Sequence, residues 1–126
     1  MATVLIVDDQ GETGDLLTRV IRHLGHHGVH VPSGEDALSY VREHGTDPPD
    51  AVLLDYMMPG MDGLEVLRAL RDDPQMRDVP VIMFSANSDP RVLEKAMRAG
   101  ANDYWIKATL PIDEFQMRLL RWLPAN

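Results

Sequence analysis

The chain contains no cysteine. That excludes a disulfide framework, a thiolate metal site and a cysteine nucleophile. Basic residues are outnumbered, 12 Lys and Arg against 20 Asp and Glu, for a formal charge of −8. A nucleic-acid face needs Lys and Arg gathered on one side, so direct nucleic-acid contact is not expected. Long hydrophobic runs are missing as well. The N-terminal apolar stretch, Val4 to Val7, passes straight into Asp8 and Asp9. It is too short for a signal peptide or a membrane span, so a soluble, cytoplasmic chain with no membrane partner is expected. No linker, repeat or low-complexity segment interrupts the 126 residues, and residues 1–126 read as one domain with its own core.

What is present is an alternation of short apolar runs and helical periodicities. Thr3 to Val7 is a β-branched strand signal ending at Asp8-Asp9. Leu16, Leu17, Val20, Ile21 and Leu24 recur at helical spacing up to Gly25. Val29 to Val31 is a short strand, and Ser33 with Asp36 heads a helix carrying Ala37, Leu38 and Val41. Ala51 to Leu54 is a continuous apolar run, as in a strand covered on both faces, and it stops on Asp55. Pro59, Gly60 and Gly63 then force a turn, and Asp62 with Glu65 has the spacing of a reciprocal helix cap. Leu64, Leu67 and Leu70 share one face of the helix that follows.

Val79 to Phe84 is a further buried strand, running into Ser85-Ala86-Asn87. Asp89-Pro90 opens a helix whose Val92, Leu93, Ala96 and Met97 are expected to face inward. Tyr104 to Ile106 is a fifth strand ending on Lys107, and the last helix shows Ile112, Phe115, Leu119 and Trp122 on one side. Leu120 and Leu123 lie off that side, as plain helix edge or as part of a dimer or target surface. Five strands alternating with five helices imply an α/β, doubly wound parallel sheet covered on both faces.

Parallel strands bring their carboxyl ends to one edge, where ligands bind in open α/β sheets. Those ends carry Asp8 and Asp9, Asp55, Ser85 and Lys107. Carboxylates gathered there repel one another unless a cation sits among them. Carboxylates, water and a phosphate oxygen suit Mg²⁺ (or Mn²⁺) better than an all-protein calcium cage. A lysine and a hydroxyl opposite the ion are what a phosphoryl group needs to spread its charge.

Four blocks carry a resemblance: Val7-Asp8-Asp9; Leu54-Asp55-Tyr56-Met57-Met58-Pro59-Gly60-Met61-Asp62-Gly63; Phe84-Ser85-Ala86; and Gly100-Ala101-Asn102-Asp103-Tyr104-Trp105-Ile106-Lys107. Over essentially its whole length the chain resembles the receiver domain of two-component response regulators, including the single-domain chemotaxis regulator. The resemblance implies a flavodoxin-like sheet in the order 2-1-3-4-5. It implies that Asp55 accepts a phosphoryl group from the phosphohistidine of a sensor histidine kinase or histidine phosphotransfer protein, as in a phosphorelay. Asp8, Asp9, Asp55 and the backbone carbonyl of Met57 would hold Mg²⁺. Lys107 would pair with Asp55 and then with the phosphoryl group, and Ser85 would bond a phosphoryl oxygen. Tyr104 would follow Ser85 from an exposed to a buried rotamer, although on its own it reads equally as a packing residue. Met57, Ala86 and Asn87 would flank the phosphoryl group, Met57 shielding it and Asn87 holding a water.

The fourth helix, fifth strand and fifth helix would change on phosphorylation to bind a downstream protein or a second copy. Such a chain catalyses only its own phosphorylation and dephosphorylation and is not otherwise an enzyme.

One position departs from the family pattern. Ala108 follows the lysine where receivers commonly have proline, so a trans bond is expected there. Receivers joined to DNA-binding domains often lack that proline, so a receiver module of a larger regulator is an alternative. A phosphatase of the haloacid-dehalogenase kind would want an Asp two residues after the nucleophile, where Met57 stands. A flavin-binding module would want a phosphate-cradling loop where Asp8-Asp9-Gln10 stands. A receiver that only binds partners would not need the acid pair, acceptor and lysine together. His26-His27, with His23 and His30, reads as a solvated loop and not as a metal site.

Overall fold

The computed structural model describes residues 1–125. Strands and helices alternate from β1 (Thr3–Val7) and α1 (Gly11–His23) through β2 (His27–Val31), α2 (Gly34–Glu43), β3 (Ala51–Leu54) and α3 (Gly63–Asp72). They continue with β4 (Val81–Ser85), α4 (Pro90–Arg98), β5 (Asp103–Ile106), a 3₁₀ turn (Lys107–Thr109) and α5 (Ile112–Trp122). The five strands pair in parallel in the order β2-β1-β3-β4-β5.

Strand alternation sorts the core into two layers. Leu5, Val7, Val52, Leu54, Val81, Met83 and Tyr104 face α2, α3 and α4, which bring Ala37, Val41, Leu67, Leu70 and Ala96. Val4, Ile6, Ala51, Leu53, Ile82 and Trp105 face α1 and α5, which bring Leu17, Ile21, Phe115 and Leu119, with Leu123 just past α5.

The helix starts follow local chemistry. Ser33 Oγ accepts the Asp36 N–H at 3.1 Å. Asp62 accepts the Glu65 N–H at 2.9 Å while Glu65 accepts the Asp62 N–H at 3.3 Å, both halves of a capping box. Asp89 accepts from the Arg91 N–H at 2.9 Å, with Pro90 at the first helical position.

Several expectations are corrected. β4 runs Val81–Ser85, because Pro80 cannot donate to the ladder and Ser85 still pairs with Ile106 of β5. On α4 only Ala96 is buried, while Leu93 and Met97 are 37% and 40% exposed. Ile112 is 51% exposed at the start of α5, whereas Leu123 is buried at the first position past the helix end. His26 is buried and its Nδ1 accepts the Ala2 N–H at 2.9 Å, so it pins the N-terminus and is not solvated. Among the described residues no peptide bond is cis, so Lys107–Ala108 is trans. No helix among them is long and apolar enough to cross a membrane.

Candidate functional site

The carboxyl ends of β1, β3 and β5 meet over the sheet edge. Asp55 N–H donates to the Val7 carbonyl at 2.9 Å, which seats Asp55 beside Asp8. The side chains of Asp8 and Asp55 are only 3% and 7% exposed. Asp9, two residues past the strand, is exposed. One oxygen from each of Asp8, Asp9 and Asp55 lies within 4.8 Å of the others.

Lys107 enters from the end of β5. Its Nζ donates to Asp8 Oδ2 at 2.7 Å and to Asp55 Oδ2 at 3.4 Å, so it leans toward Asp8. The ammonium also lies 5.8 Å from the centre of the Phe84 ring. Burial raises the Asp55 carboxyl above the usual range; the nearby ammonium of Lys107 opposes this and the charge of Asp8 adds to it. The Met57 backbone N–H also opposes the rise.

The loop between β3 and α3 is held tightly against this edge. The Gly63 N–H donates to the Tyr56 carbonyl at 2.8 Å. A Cβ on Gly63 would overlap the Asp55 carbonyl and the Tyr56 Cα. Only glycine lets the start of α3 sit directly on the Asp55 backbone.

Ser85 is fully buried at the end of β4, and its Oγ accepts the Asn87 N–H at 3.2 Å. Tyr104 is buried, with its hydroxyl donating to the Asn87 carbonyl at 2.7 Å. Burial raises the Tyr104 phenol, and the Ser85 hydroxyl opposes that shift. Asn87 also caps onward, its Oδ1 accepting the Asp89 N–H at 2.9 Å. Met57 is 64% exposed, with its thioether 3.9 Å from the Asn87 amide nitrogen, and Ala86 is exposed beside them. Met57 therefore lies along the exposed rim of the site, against Asn87.

The edge thus holds Asp8, Asp9, Asp55 and Lys107 as one charged group. Ser85, Asn87 and Tyr104 form a second, hydrogen-bonded group beside it. Sequence reasoning missed two contributors. His30 Nε2 lies 2.7 Å from the Asp8 backbone carbonyl, and the Gln10 N–H donates to Asp8 Oδ1 at 2.9 Å. The only trace of the first in the sequence is Gly14, which together with Gly11 weakens the start of the first helix.

The donor set fits a hard divalent cation. All three donors are carboxylate oxygens, and one ammonium among three carboxylates leaves negative charge for the ion to offset. Among the described residues no histidine joins this or any other ligand group.

Residues 4–118 match the response regulator receiver domain. The DNA-binding response regulator MtrA of Mycobacterium tuberculosis is 39% identical over 108 residues, covering 86% of this chain and 45% of that protein. The transcriptional regulatory protein BaeR of Escherichia coli is 34% identical over 108 residues, covering 86% of this chain and 42% of that protein. The chain therefore spans less than half the length of these curated relatives. A putative response regulator from Chloroflexus aurantiacus superposes with a TM-score of 0.86 at 31% identity, covering 96% of both chains. The CheX–CheY–BeF₃–Mg²⁺ complex from Borrelia burgdorferi matches with a TM-score of 0.85 at 28% identity, covering 95% of this chain and 87% of that one. A match over that span, on a fold and a strand-end site that agree with it, makes this chain a member of the response regulator receiver domain family.

Proposed function

We propose that the chain is a phospho-accepting switch and that Asp55 is the acceptor. The observation that carries this reading is a nearly buried carboxylate at a strand end, 3.4 Å from one ammonium and beside two further carboxylates. An Asp55 oxygen attacks the phosphorus of a phosphohistidine; the O–P bond forms, the N–P bond breaks, and the imidazole, already protonated on its other ring nitrogen, takes the bond's electron pair and leaves as a neutral ring. Bound at Asp8, Asp9, Asp55 and the Met57 carbonyl, Mg²⁺ or Mn²⁺ supplies charge neutralisation for the phosphoryl oxygens.

The chain's own groups do the rest. Lys107, already between Asp8 and Asp55, moves its charge onto the new phosphoryl group, which adds about 1.5 to 2 negative charges. Ser85 turns its hydroxyl from the Asn87 N–H to donate to a phosphoryl oxygen. Tyr104 is already inward, bonded to the same Asn87, so a shift of Ser85 and Asn87 is passed directly to β5 and the start of α4. The outcome is a changed α4-β5-α5 face that binds a downstream protein or a second copy. Apart from its own phosphorylation and dephosphorylation the chain performs no reaction.

A second reading is favoured by the relatives themselves. The chain matches the receiver part of DNA-binding regulators and covers 45% of their length, and Ala108 follows Lys107. In that setting the switch would act on an attached domain. The charge of −8 leaves DNA contact to that other domain.

Intact-mass measurement after incubation with acetyl phosphate, with and without Mg²⁺, tests the reading. The expected result is a labile, Mg²⁺-dependent phosphoryl adduct on wild type and none on Asp55→Asn. An adduct that survives in the variant would place the acceptor elsewhere. No adduct under any condition would leave a receiver that signals by partner binding alone.

A further inference from the structure

Asp8 has all four of its polar groups engaged. Its N–H donates to the Val31 carbonyl at 3.2 Å, Oδ1 accepts the Gln10 N–H at 2.9 Å, and Oδ2 accepts Lys107 at 2.7 Å. Its backbone carbonyl lies 2.7 Å from His30 Nε2. A carbonyl can only accept, so Nε2 carries the proton and donates. Of these four contacts, the one from His30 is the only side-chain grip on the backbone from which both Asp8 and Asp9 extend.

Strand alternation explains how the imidazole gets there. Val29 and Val31 face the α2–α4 layer, so Gly28 and His30 face α1. The ring needs room against that helix. At Gly14 an added Cβ would overlap the imidazole itself. Glycine is the least favoured residue of a helix interior after proline, yet it stands buried inside α1 at the point where the ring passes. The two residues form one device: Gly14 admits the ring, and the ring holds the Asp8 carbonyl.

We propose that His30 is a positioning residue for the acid turn, and that Gly14 exists in α1 to seat it. The Asp8–Asp9 peptide is planar, so fixing the Asp8 carbonyl fixes the direction in which the Asp9 N–H and Cα leave the strand. Asp9 is exposed and no other side chain holds it among the described residues, so its carboxylate depends on that peptide plane to reach the other two. Without the His30 bond, the turn can rotate and Asp9 swings away from Asp8 and Asp55. The inference rests on the cation-assisted reading of the site, and acts through the ligand residues without touching ion or phosphoryl group.

The test uses metal-free protein titrated calorimetrically with Mg²⁺ alone, alongside thermal melts and amide hydrogen exchange at Asp9 and Gln10. His30→Leu removes the donor. Gly14→Ala displaces the ring while improving the helix, and so guards against a simple folding failure. His30→Gln keeps an N–H donor. His30→Leu and Gly14→Ala are expected to weaken Mg²⁺ about tenfold, the low end for outer ligand partners, and His30→Gln to stay within about twofold. The Asp9 and Gln10 amides should exchange faster in the first two variants before any Mg²⁺ is added. Melting temperatures that fall while Mg²⁺ affinity and exchange at the turn stay at wild-type values would overturn the positioning role and leave a packing one. Wild type that fails to bind Mg²⁺ would overturn the cation-assisted reading, and this inference with it.

Discussion

Asp55 is held in a place that opposes its own charge. Burial is the largest influence on its carboxyl and raises it, the negative Asp8 adds to the shift, and Lys107 offsets only part. A carboxyl raised on folding binds its proton more tightly in the native than in the unfolded state. Its contribution to stability is then fully present at low pH and is lost as pH rises through the raised native value. Metal-free Asp55→Asn should therefore melt above wild type at pH 7, with the gap closing as pH falls below the ordinary carboxylate range. Equal melting at neutral pH would show that Lys107 already compensates the charge. The lysine has the opposite importance. Its side chain is 17% exposed and lies between two carboxylates more deeply buried than itself. Removing the cation from a mostly buried pair strands the anions, so Lys107→Ala should cost about 3 kcal/mol in urea unfolding. Asp8→Asn in the same background should return part of that loss.

At the scale of elements, the joint between α3, β4 and β5 depends on one guanidinium. Arg71 donates to the carbonyls of Gly100, Met76 and Val79 at 2.9 Å each and to Asn102 Oδ1 at 2.7 Å. Asn102 Oδ1 in turn accepts the Val81 N–H at 2.8 Å, so the end of α3, the start of β4 and the turn after α4 share one network. Burial lowers the Arg71 guanidinium from its ordinary value, and the charge of Asp78 opposes this. Arg71→Ala should lower unfolding free energy by about 3 kcal/mol, because several acceptors lose a charged donor at once. Arg71→Lys should recover little, since an ammonium cannot span the same fork. Chemical denaturation of the two variants decides this. Nothing in the local pattern distinguishes Arg71 from a surface arginine in a last helical turn, because Gly100 and Asn102 lie 29 and 31 residues away.

Across the whole molecule the two layers are unequal in their grip. β1, β3 and β4 are covered on both faces, whereas α4 buries only Ala96 and leaves Leu93 and Met97 substantially exposed. Elements with few buried apolar groups open at low free energy. Amide hydrogen exchange should show α4 exchanging well before β3 and α3. Leu93→Ser should change stability by no more than about 0.5 kcal/mol, against about 2–5 kcal/mol for Leu119→Ala in the other layer. A helix tied by Asn87 and Asp89 at one end and by the Arg71 network at the other, with little beneath it, is suited to be displaced by a change at Ser85. Protection of α4 equal to that of β3 would remove it as the moving part.

The sequence by itself determined the alternation of strands and helices, the capping box at Asp62 and Glu65, and the polar strand ends at Asp8, Asp55, Ser85 and Lys107. Each is a local signal: a period, a cap spacing, or a charge that interrupts an apolar run. The receiver motifs in it also implied the strand order that the pairing shows. It did not determine which helix faces are covered. Leu93, Met97 and Ile112 have core-like spacing yet are exposed, and Leu123 lies off the stripe yet is buried, because coverage depends on where neighbouring elements end. Nor did it determine the close contacts across distant segments: the lean of Lys107 toward Asp8 instead of Asp55, the Arg71 network, or the imidazole of His30 against Gly14. Those are set by the three-dimensional meeting of groups far apart in the chain, for which one-dimensional spacing carries no signal.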